Sequence, residues 1–246
     1  MTNRFLFILL LSLFLAACSS QKIVPRNSAE QYFQEGEKFF DSKLYEEAIA
    51  SWEKVRDSYY SPELNMLAEL KIAEAYYRSE RYEEAATAYG DFLKRHPNDS
   101  RVKDVLYRLG LSHYQQILSA DRDQTSTRNA LQVFEELLHR FPSYSQAEEA
   151  GHLIQRCRNR LAEAEVYVGH FYLKRGQYQA AINRLEKALA DYPNYYHLDE
   201  AYFLLGKAYL QASEKEKAKD TFNQLFEQFP GSEYLIDAQK ILAEEY

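Results

Sequence analysis

Apolar and polar residues recur along most of the chain with a period of three to four residues, the spacing of one face of an α-helix. Five similar segments carry this pattern, and each contains an alanine that marks it: Ala48, Ala85, Ala130, Ala181 and Ala218. Successive alanines are separated by 37, 45, 51 and 37 residues. Self-similarity at such intervals predicts a chain of helical repeats.

Two further landmarks set the length of each repeat. Proline lies twelve residues after the last four alanines, and Pro62 lies fourteen residues after the first. In four repeats a small residue lies twelve residues before the alanine: Gly36, Ala73, Gly169 and Gly206. Small residues let two helices approach closely, and proline ends a helix because it lacks the N–H and clashes with the preceding turn. The spacing therefore predicts five helical hairpins.

This pattern resembles the tetratricopeptide repeat. The resemblance implies an all-α fold, an α-solenoid of five helical hairpins followed by a C-terminal capping helix. The repeats would span approximately 29–62, 63–97, 98–142, 143–193 and 194–230, with the capping helix over 231–246. An insertion around SADRDQTST separates the two helices of the third repeat, and a helical pattern without proline prolongs the first helix of the fourth.

The N-terminus has a different pattern, in which Arg4 precedes an apolar run from residue 5 to 17 that is interrupted only by Ser12. Such a layout is typical of a secretory signal. A run of 13 residues is short for a transmembrane helix, because crossing a bilayer takes about 20. We therefore expect residues 1–17 to be cleaved.

Leu-Ala-Ala-Cys, which ends at Cys18, resembles the lipobox of bacterial lipoproteins. The resemblance implies that Cys18 is lipidated and becomes the mature N-terminus, with a linker over 18–28. Ser19 follows the cysteine where aspartate would favour retention at the inner membrane, so outer-membrane delivery is expected. A plain signal peptide with an incidental cysteine is the alternative.

Composition narrows the chemistry. The chain has 37 acidic and 30 basic residues and a formal charge of −7, which argues against nucleic acid as a partner because phosphate binding needs clustered Lys and Arg. The six histidines are scattered, and neither a phosphate loop, a nucleophile elbow nor a zinc motif is present. We expect no catalytic residue, metal site or cofactor. With Cys18 lipidated, Cys157 is expected to be a structural thiol or to form an intermolecular disulfide.

The lipobox, five repeats, the DRDQT insertion and the prolonged helix together resemble the BamD family, lipoproteins of the outer-membrane β-barrel assembly machinery. The positions where that family has its recurring motif residues are occupied by Asp121, Arg122, Asp123, Tyr167, Tyr172, Arg175, Gly176, Asn183, Arg184, Tyr192 and Pro193. The resemblance implies a non-enzymatic scaffold that is lipid-anchored to the outer membrane and faces the periplasm.

The same resemblance implies the partners. The C-terminal repeats would hold a periplasmic (POTRA) domain of the barrel component, and the N-terminal repeats would meet the C-terminal targeting strand of unfolded outer-membrane proteins. Other lipoproteins of the complex are candidate partners. Asp121, Arg122 and Asp123 in the insertion and Arg184 in the fourth repeat are candidate interface residues. The alternative for these charges is that they only keep the surface solvated.

Fixed positions of the first helix line the concave groove of tetratricopeptide repeats. Here those positions are occupied by Glu37, Glu74, Leu111 and seven candidate groove residues, which are apolar or aromatic apart from one arginine: Phe33, Phe40, Leu70, Tyr77, Arg78, Tyr107 and Tyr114. Exposed apolar patches often mark binding sites, and arginine binds carboxylates bidentately. We therefore expect a groove for a peptide that ends in an aromatic residue and a carboxylate. The alternative is that these side chains pack against neighbouring repeats.

Two other functions fit a lipid-anchored repeat protein. One is a different outer-membrane lipoprotein of the same repeat type, such as a pilotin or an envelope division factor. The other is a regulator that recruits a cell-wall hydrolase. The DRDQT insertion and the prolonged helix count against the first of these.

Overall fold

The computed structural model describes residues 26–58 and 61–245, with the side chains of residues 26 and 27 left out. The predicted signal peptide and Cys18 lie outside the described residues. Every regular element in the described part of the chain is an α-helix, so the predicted all-α fold class is confirmed. The chain divides into two compact units, Met1–Ala75 and Tyr76–Tyr246, which are called unit 1 and unit 2.

Unit 1 contains α1 (Arg26–Asp41), α2 (Tyr45–Arg56) and most of α3 (Pro62–Arg78). Helices α1 and α2 pack around Trp52, which is fully buried and whose Nε1 donates a hydrogen bond to the carbonyl oxygen of Phe33 at 3.2 Å. A Cβ added at Gly36 would lie 2.5 Å from Trp52 Nε1. The first hairpin therefore needs its small residue at this position.

Unit 2 contains the end of α3 and all later helices. These are α4 (Tyr82–Arg95), α5 (Val102–Tyr114), α6 (Thr125–Arg140), α7 (Ala147–Lys174), α8 (Tyr178–Asp191), α9 (Leu198–Gln211), α10 (Lys215–Gln228) and α11 (Leu235–Glu245). From α1 to α10 the described helices follow one another along the chain as five successive helix–turn–helix pairs, and α11 follows them, as predicted. None of them is both long enough and apolar enough to cross a membrane.

The helix pairs are closed by similar turns. In four of them a residue in the left-handed region follows the first helix: Lys43, Glu80, Gly176 and Ser213. A residue of positive φ just beyond a helix satisfies its last carbonyl groups and reverses the chain. The third pair instead has the longer segment 115–124 between α5 and α6, because the predicted insertion lies there.

Helix α7 has 28 residues and belongs to two hydrophobic cores. Its N-terminal half contributes Leu153 and Cys157 to a cluster that includes Phe134 of α6. Its C-terminal half contributes Val166 to a second cluster that includes Leu185 of α8. Burial raises the pKa of the Cys157 thiol to about 12, so this thiol stays protonated near neutral pH.

Candidate interaction surfaces

Three of the predicted groove residues lie in unit 1, and each is half-buried: Phe33, Phe40 and Leu70. The two phenylalanine rings lie 6.4 Å and 5.7 Å from the ring of Trp52, measured between centroids. Lys71 Nζ forms an ion pair with Glu37 at 2.9 Å and lies 5.8 Å from the ring centroid of Phe40. This surface of unit 1 is therefore a partly covered aromatic patch beside an ion pair.

The other four predicted groove residues lie in unit 2 and differ in exposure. Arg78 is exposed, whereas Tyr77 and Tyr114 are half-buried. Gln115 donates a hydrogen bond to the Tyr77 hydroxyl at 3.5 Å, and the Arg156 guanidinium lies 5.4 Å from the Tyr114 ring centroid.

Tyr107 is only 8% exposed. Its ring packs against Phe134 and Tyr144, at centroid distances of 6.2 Å and 5.8 Å. Burial, with a hydrogen bond to Glu149, raises the pKa of its hydroxyl. Removal of a large aromatic ring from water stabilises the folded protein, so Tyr107 contributes to the core rather than to an accessible surface. For Tyr107, the side chain therefore packs inside the protein, as the alternative interpretation expected.

The predicted interface charges Asp121, Arg122 and Asp123 are exposed on the segment between α5 and α6. Asp123 Oδ1 accepts a hydrogen bond from the Thr125 N–H at 2.8 Å, at the start of α6. That bond lowers the pKa of the Asp123 carboxyl. Asp123 therefore satisfies one backbone N–H at the start of α6 in addition to presenting an exposed charge.

Gln124, which the sequence analysis did not single out, organises this segment. Its side chain is 6% exposed, and its Nε2 donates hydrogen bonds to the carbonyl oxygens of Ser119 at 2.8 Å and Arg122 at 3.0 Å. Its Oε1 accepts a hydrogen bond from the Thr127 hydroxyl at 2.8 Å. A buried amide with three partners holds the loop that presents the three charges.

Arg184, the fourth predicted interface residue, is exposed on α8 and takes part in a separate ionic network. Its Nη1 lies 2.9 Å from Glu165 Oε2, and Lys187 Nζ lies 3.2 Å from Glu165 Oε1. The hydrogen bond to Glu165 raises the pKa of the Arg184 guanidinium. This network ties α8 to the C-terminal half of α7.

The C-terminal half of α7 also exposes two large aromatic side chains. Tyr167 is 50% exposed and Phe171 is 46% exposed, and their spacing of four residues places them on one face of the helix. The Arg175 guanidinium lies 5.0 Å from the ring centroid of Phe171. We call Tyr167, Phe171 and Arg175 the α7 stripe. Tyr167 and Arg175 were noted as family motif positions, but no site was predicted here.

Comparison with known proteins gives a consistent set of similarities. The model of a family described as outer membrane lipoprotein (YfiO) matches residues 25–221. The chain is 29% identical over 253 residues to the outer membrane protein assembly factor BamD of Neisseria meningitidis serogroup A, across 96% of this chain and 95% of that protein. It is 28% identical over 240 residues to the BamD of Rickettsia prowazekii, across 96% and 94%. Among solved structures, the TPR2AB-domain:pHSP90 complex of yeast Sti1 is 16% identical with a TM-score of 0.44, across 89% of this chain and 86% of that one.

Proposed function

This chain belongs to the outer membrane lipoprotein family, and from that membership we propose that it is a non-enzymatic scaffold of the β-barrel assembly machinery in the outer membrane. The observation that carries the proposal is similarity over nearly the full length of relatives named outer membrane protein assembly factor BamD. These relatives do not favour the pilotin, division-factor or hydrolase-recruiter alternatives. Depletion of the protein in its own bacterium should lower the amount of folded outer-membrane barrels. Unchanged barrel levels, with a selective loss of pili or of septation, would refute the scaffold role.

Lipid anchorage is the first finer part of the proposal. Lipidated Cys18 holds the repeats on the outer membrane, facing the periplasm, because several buried acyl chains provide durable attachment. Cys18→Ala should move the protein from the membrane fraction to the soluble fraction after cell lysis. Cys157→Ala is the matched control, since it removes the other cysteine and leaves the lipobox intact. A Cys18→Ala variant that still sediments with membranes would overturn this part.

The second part concerns the barrel component, whose POTRA domain is held by the C-terminal repeats. The α7 stripe supports this role, because two exposed aromatic rings on one helix face, with an arginine just after the helix, have the composition of an interface hot spot. Arg184 is on the adjacent helix and would extend the surface with a charge. Phe171→Ser combined with Tyr167→Ser should weaken binding to the isolated POTRA region by about tenfold or more.

The control for that experiment is Ile236→Ser on α11, where the side chain is 78% exposed. It removes an exposed apolar side chain from another helix of unit 2. Equal affinity of the stripe variant and the wild type, measured by isothermal titration, would place the POTRA contact elsewhere. Arg184→Glu should also weaken binding, whereas Asp121→Asn, Arg122→Gln and Asp123→Asn test the insertion separately.

The third part concerns unfolded substrates. In unit 1, Phe33, Phe40 and Leu70 are proposed to contact the targeting strand of unfolded barrel proteins. In unit 2, Tyr77, Arg78 and Tyr114 are proposed separately as a second surface for such strands. The support is that five of these side chains are half-buried apolar groups, while Arg78 is exposed. Arg78→Glu should weaken the binding of a peptide with an aromatic C-terminal residue, with Lys103→Glu on α5 as the control. Unchanged affinity in a fluorescence titration would exclude Arg78 from the site.

A further inference from the structure

An open groove of about 500 Å³ lies along α9 in unit 2, between α8 and α10. Helix α9 packs against both of these helices and provides the floor with Tyr202, Leu205 and Tyr209, whose spacing of three and four residues places them on one face. Leu189 and Ala190 of α8 extend the apolar lining on one side. A concave site of this volume, with a mainly apolar floor, has the size and composition of a binding site. We call it the α9 groove.

The walls of the α9 groove are polar and carry more acidic than basic groups. Glu186 of α8 and Asp220 of α10 line it from the two flanking helices. Lys217 of α10 also lines it, but its Nζ lies 2.6 Å from Glu214 Oε2 and 5.3 Å from the ring centroid of Tyr209. The lysine charge is matched by Glu214, so the two lining carboxylates make the groove acidic.

Tyr209 holds one of these carboxylates in place. Its hydroxyl donates a hydrogen bond to Glu186 Oε1, between α9 and α8. Burial, with this bond, raises the pKa of the Tyr209 hydroxyl, so the phenol stays protonated and remains the donor. A carboxylate accepts several hydrogen bonds, and Glu186 can therefore accept a further one from a group inside the groove.

The fourth repeat shows which kind of group suits this place. Residues of the α7–α8 hairpin correspond to those of the α9–α10 hairpin 37 positions later, as the marker alanines do. In the fourth repeat, Glu165 lies 2.9 Å from Arg184 Nη1 and 3.2 Å from Lys187 Nζ, so two basic side chains of α8 neutralise a carboxylate of α7. The corresponding three positions of the α9 groove are occupied by neutral residues: Tyr202, Thr221 and Gln224. The fourth repeat thus supplies its own cations, whereas the fifth has an open groove with acidic walls.

We propose that the α9 groove binds an amphipathic helix of a partner protein, with an arginine or lysine of that helix between Glu186 and Asp220. The apolar face of the partner helix packs on Leu189, Tyr202 and Leu205. This occupant follows from charge complementarity and from the fourth repeat, where arginine and lysine hold the corresponding positions. Binding of an amphipathic helix in an apolar groove is a common mode of peptide recognition. The site goes beyond the proposed scaffold function, since it uses none of the residues assigned to that function.

The test uses purified mature protein and a fluorescein-labelled peptide with leucine at i, i+4 and i+7 and arginine at i+3, which a helix places on one face. The remaining residues of the peptide are alanine and glutamine, and both ends are blocked. The matched probe has glutamine in place of the arginine. We expect the arginine probe to bind at least about tenfold more tightly than the glutamine probe in fluorescence anisotropy, because only the arginine is attracted by the two carboxylates.

A first variant supplies the cation from the protein itself. Gln224→Lys places on α10 the charge that Lys187 provides in the fourth repeat, so it should weaken the arginine probe by about tenfold or more. Asn223→Lys is the matched control, because it adds the same charge to the same helix at an exposed residue outside the groove lining. It should leave the affinity of the arginine probe close to that of the wild type.

A second variant removes the acidic walls. Glu186→Gln combined with Asp220→Asn should also weaken the arginine probe by about tenfold and leave the affinity of the glutamine probe unchanged. Glutamine at position 186 still accepts the Tyr209 hydrogen bond, and Asp220 is exposed. The double variant should therefore keep the melting temperature of the wild type.

Three results would overturn the proposal. One is equal affinity of the two probes, or full binding of the arginine probe by the double variant. Another is equal weakening by Gln224→Lys and Asn223→Lys, because the effect would then come from net charge alone. The third is binding of arginine amide as tight as that of the arginine probe, since the groove would then take a small cation and not a helix.

Discussion

The first helices of the fourth and fifth repeats have side chains at the same two repeat positions with opposite exposure. In the fifth repeat, Leu204 and Ala208 are 5% and 0% exposed, two residues before and after Gly206. In the fourth repeat, Tyr167 and Phe171 hold the same places around Gly169 and are 50% and 46% exposed. Identical positions in one kind of repeat therefore serve the core in one case and the surface in the other.

The length of α7 explains the difference. Helix α9 packs against α8 of the preceding repeat, and Leu204 and Ala208 belong to the same hydrophobic core as Leu185 of α8. The corresponding preceding helix for α7 is α6, and it packs against the N-terminal half of α7, where Cys157 meets Phe134. Prolonging α7 by several turns carries its C-terminal half beyond this contact with α6, and Tyr167 and Phe171 in that half stay about half exposed. A solenoid can therefore create an interaction surface by lengthening one helix, without adding a loop.

The strongest test of this comparison is the pair Leu204→Ala and Phe171→Ala. Leu204→Ala should lower the free energy of unfolding by about 2–4 kcal/mol, because it leaves a cavity in a packed core. Phe171→Ala should change it by less than about 1 kcal/mol, since nearly half of that side chain already faces water. Urea denaturation followed by circular dichroism measures both. Equal losses would show that the α7 stripe is part of the core.

A second test asks whether the contacts inside each hairpin are equivalent, so that only the outer face differs. A Cβ added at Gly206 would lie 2.6 Å from Phe222 Cε1, and one added at Gly169 would lie 2.7 Å from Leu185 Cγ. Gly206→Ala and Gly169→Ala should each cost about 1–3 kcal/mol of unfolding free energy. The cost should be larger at Gly206, because a buried phenyl ring yields less readily than a leucine side chain. A neutral Gly169→Ala would mean that the fourth hairpin is packed more loosely than the fifth.

The repeat itself could be read from the sequence because its landmarks have local physical causes. Gly36, Gly169 and Gly206 each lie against a large side chain of the partner helix. The need for a small residue there is visible in the sequence, because each glycine lies twelve residues before the alanine of its repeat. The α7 stripe could not be read in the same way. Aromatic residues at positions 167 and 171 fit a helical pattern whether or not a neighbouring helix covers them. Whether they are covered depends on how far along α7 its contact with α6 extends.

Two other residues show the same limit. Tyr107 occupies a groove position in the repeat pattern, yet its ring is buried against Phe134 and Tyr144. Gln124 looks like an ordinary polar residue in DRDQT, and only the folded loop brings Ser119 and Arg122 within reach of its amide. The sequence does place Gln124 just before the threonine that starts α6, and therefore near a helix N-terminus. That position alone does not indicate that the Gln124 side chain is buried.

A third test concerns α7, the helix whose length accounts for the difference in exposure between the fourth and fifth repeats. Gly151 lies in α7 near its N-terminal end, and an added Cβ would meet no atom within 4 Å. Gly151→Ala should therefore raise the free energy of unfolding by about 0.5–1 kcal/mol, because it lowers the chain entropy lost on forming the helix. Thermal unfolding measures the gain, and Gly169→Ala serves as the contrasting glycine in the same helix. A loss of stability on Gly151→Ala would reveal a close contact at this point of α7.

The smallest expected effect concerns the electrostatics that the fourth and fifth repeats share. Burial lowers the pKa of His170, and the positive charges of Lys174 on its own helix and Lys207 on α9 lower it further. Lys207→Gln removes one charge and should raise the pKa of His170, while burial keeps it below the ordinary value. A proton NMR titration of the imidazole measures the change, with Lys240→Gln as the control.

The lowered pKa of His170 also makes the free energy of unfolding depend on pH. Because folding lowers the pKa of His170, the unfolded chain binds more protons between the folded pKa and the unfolded value, so stability rises with pH across that window. Lys207→Gln narrows the window and should flatten the rise, whereas Lys240→Gln should not. If the pKa of His170 stays unchanged when Lys207 is neutralised, α7 and α9 do not share a charged face. The fourth and fifth repeats would then differ only in how their side chains pack.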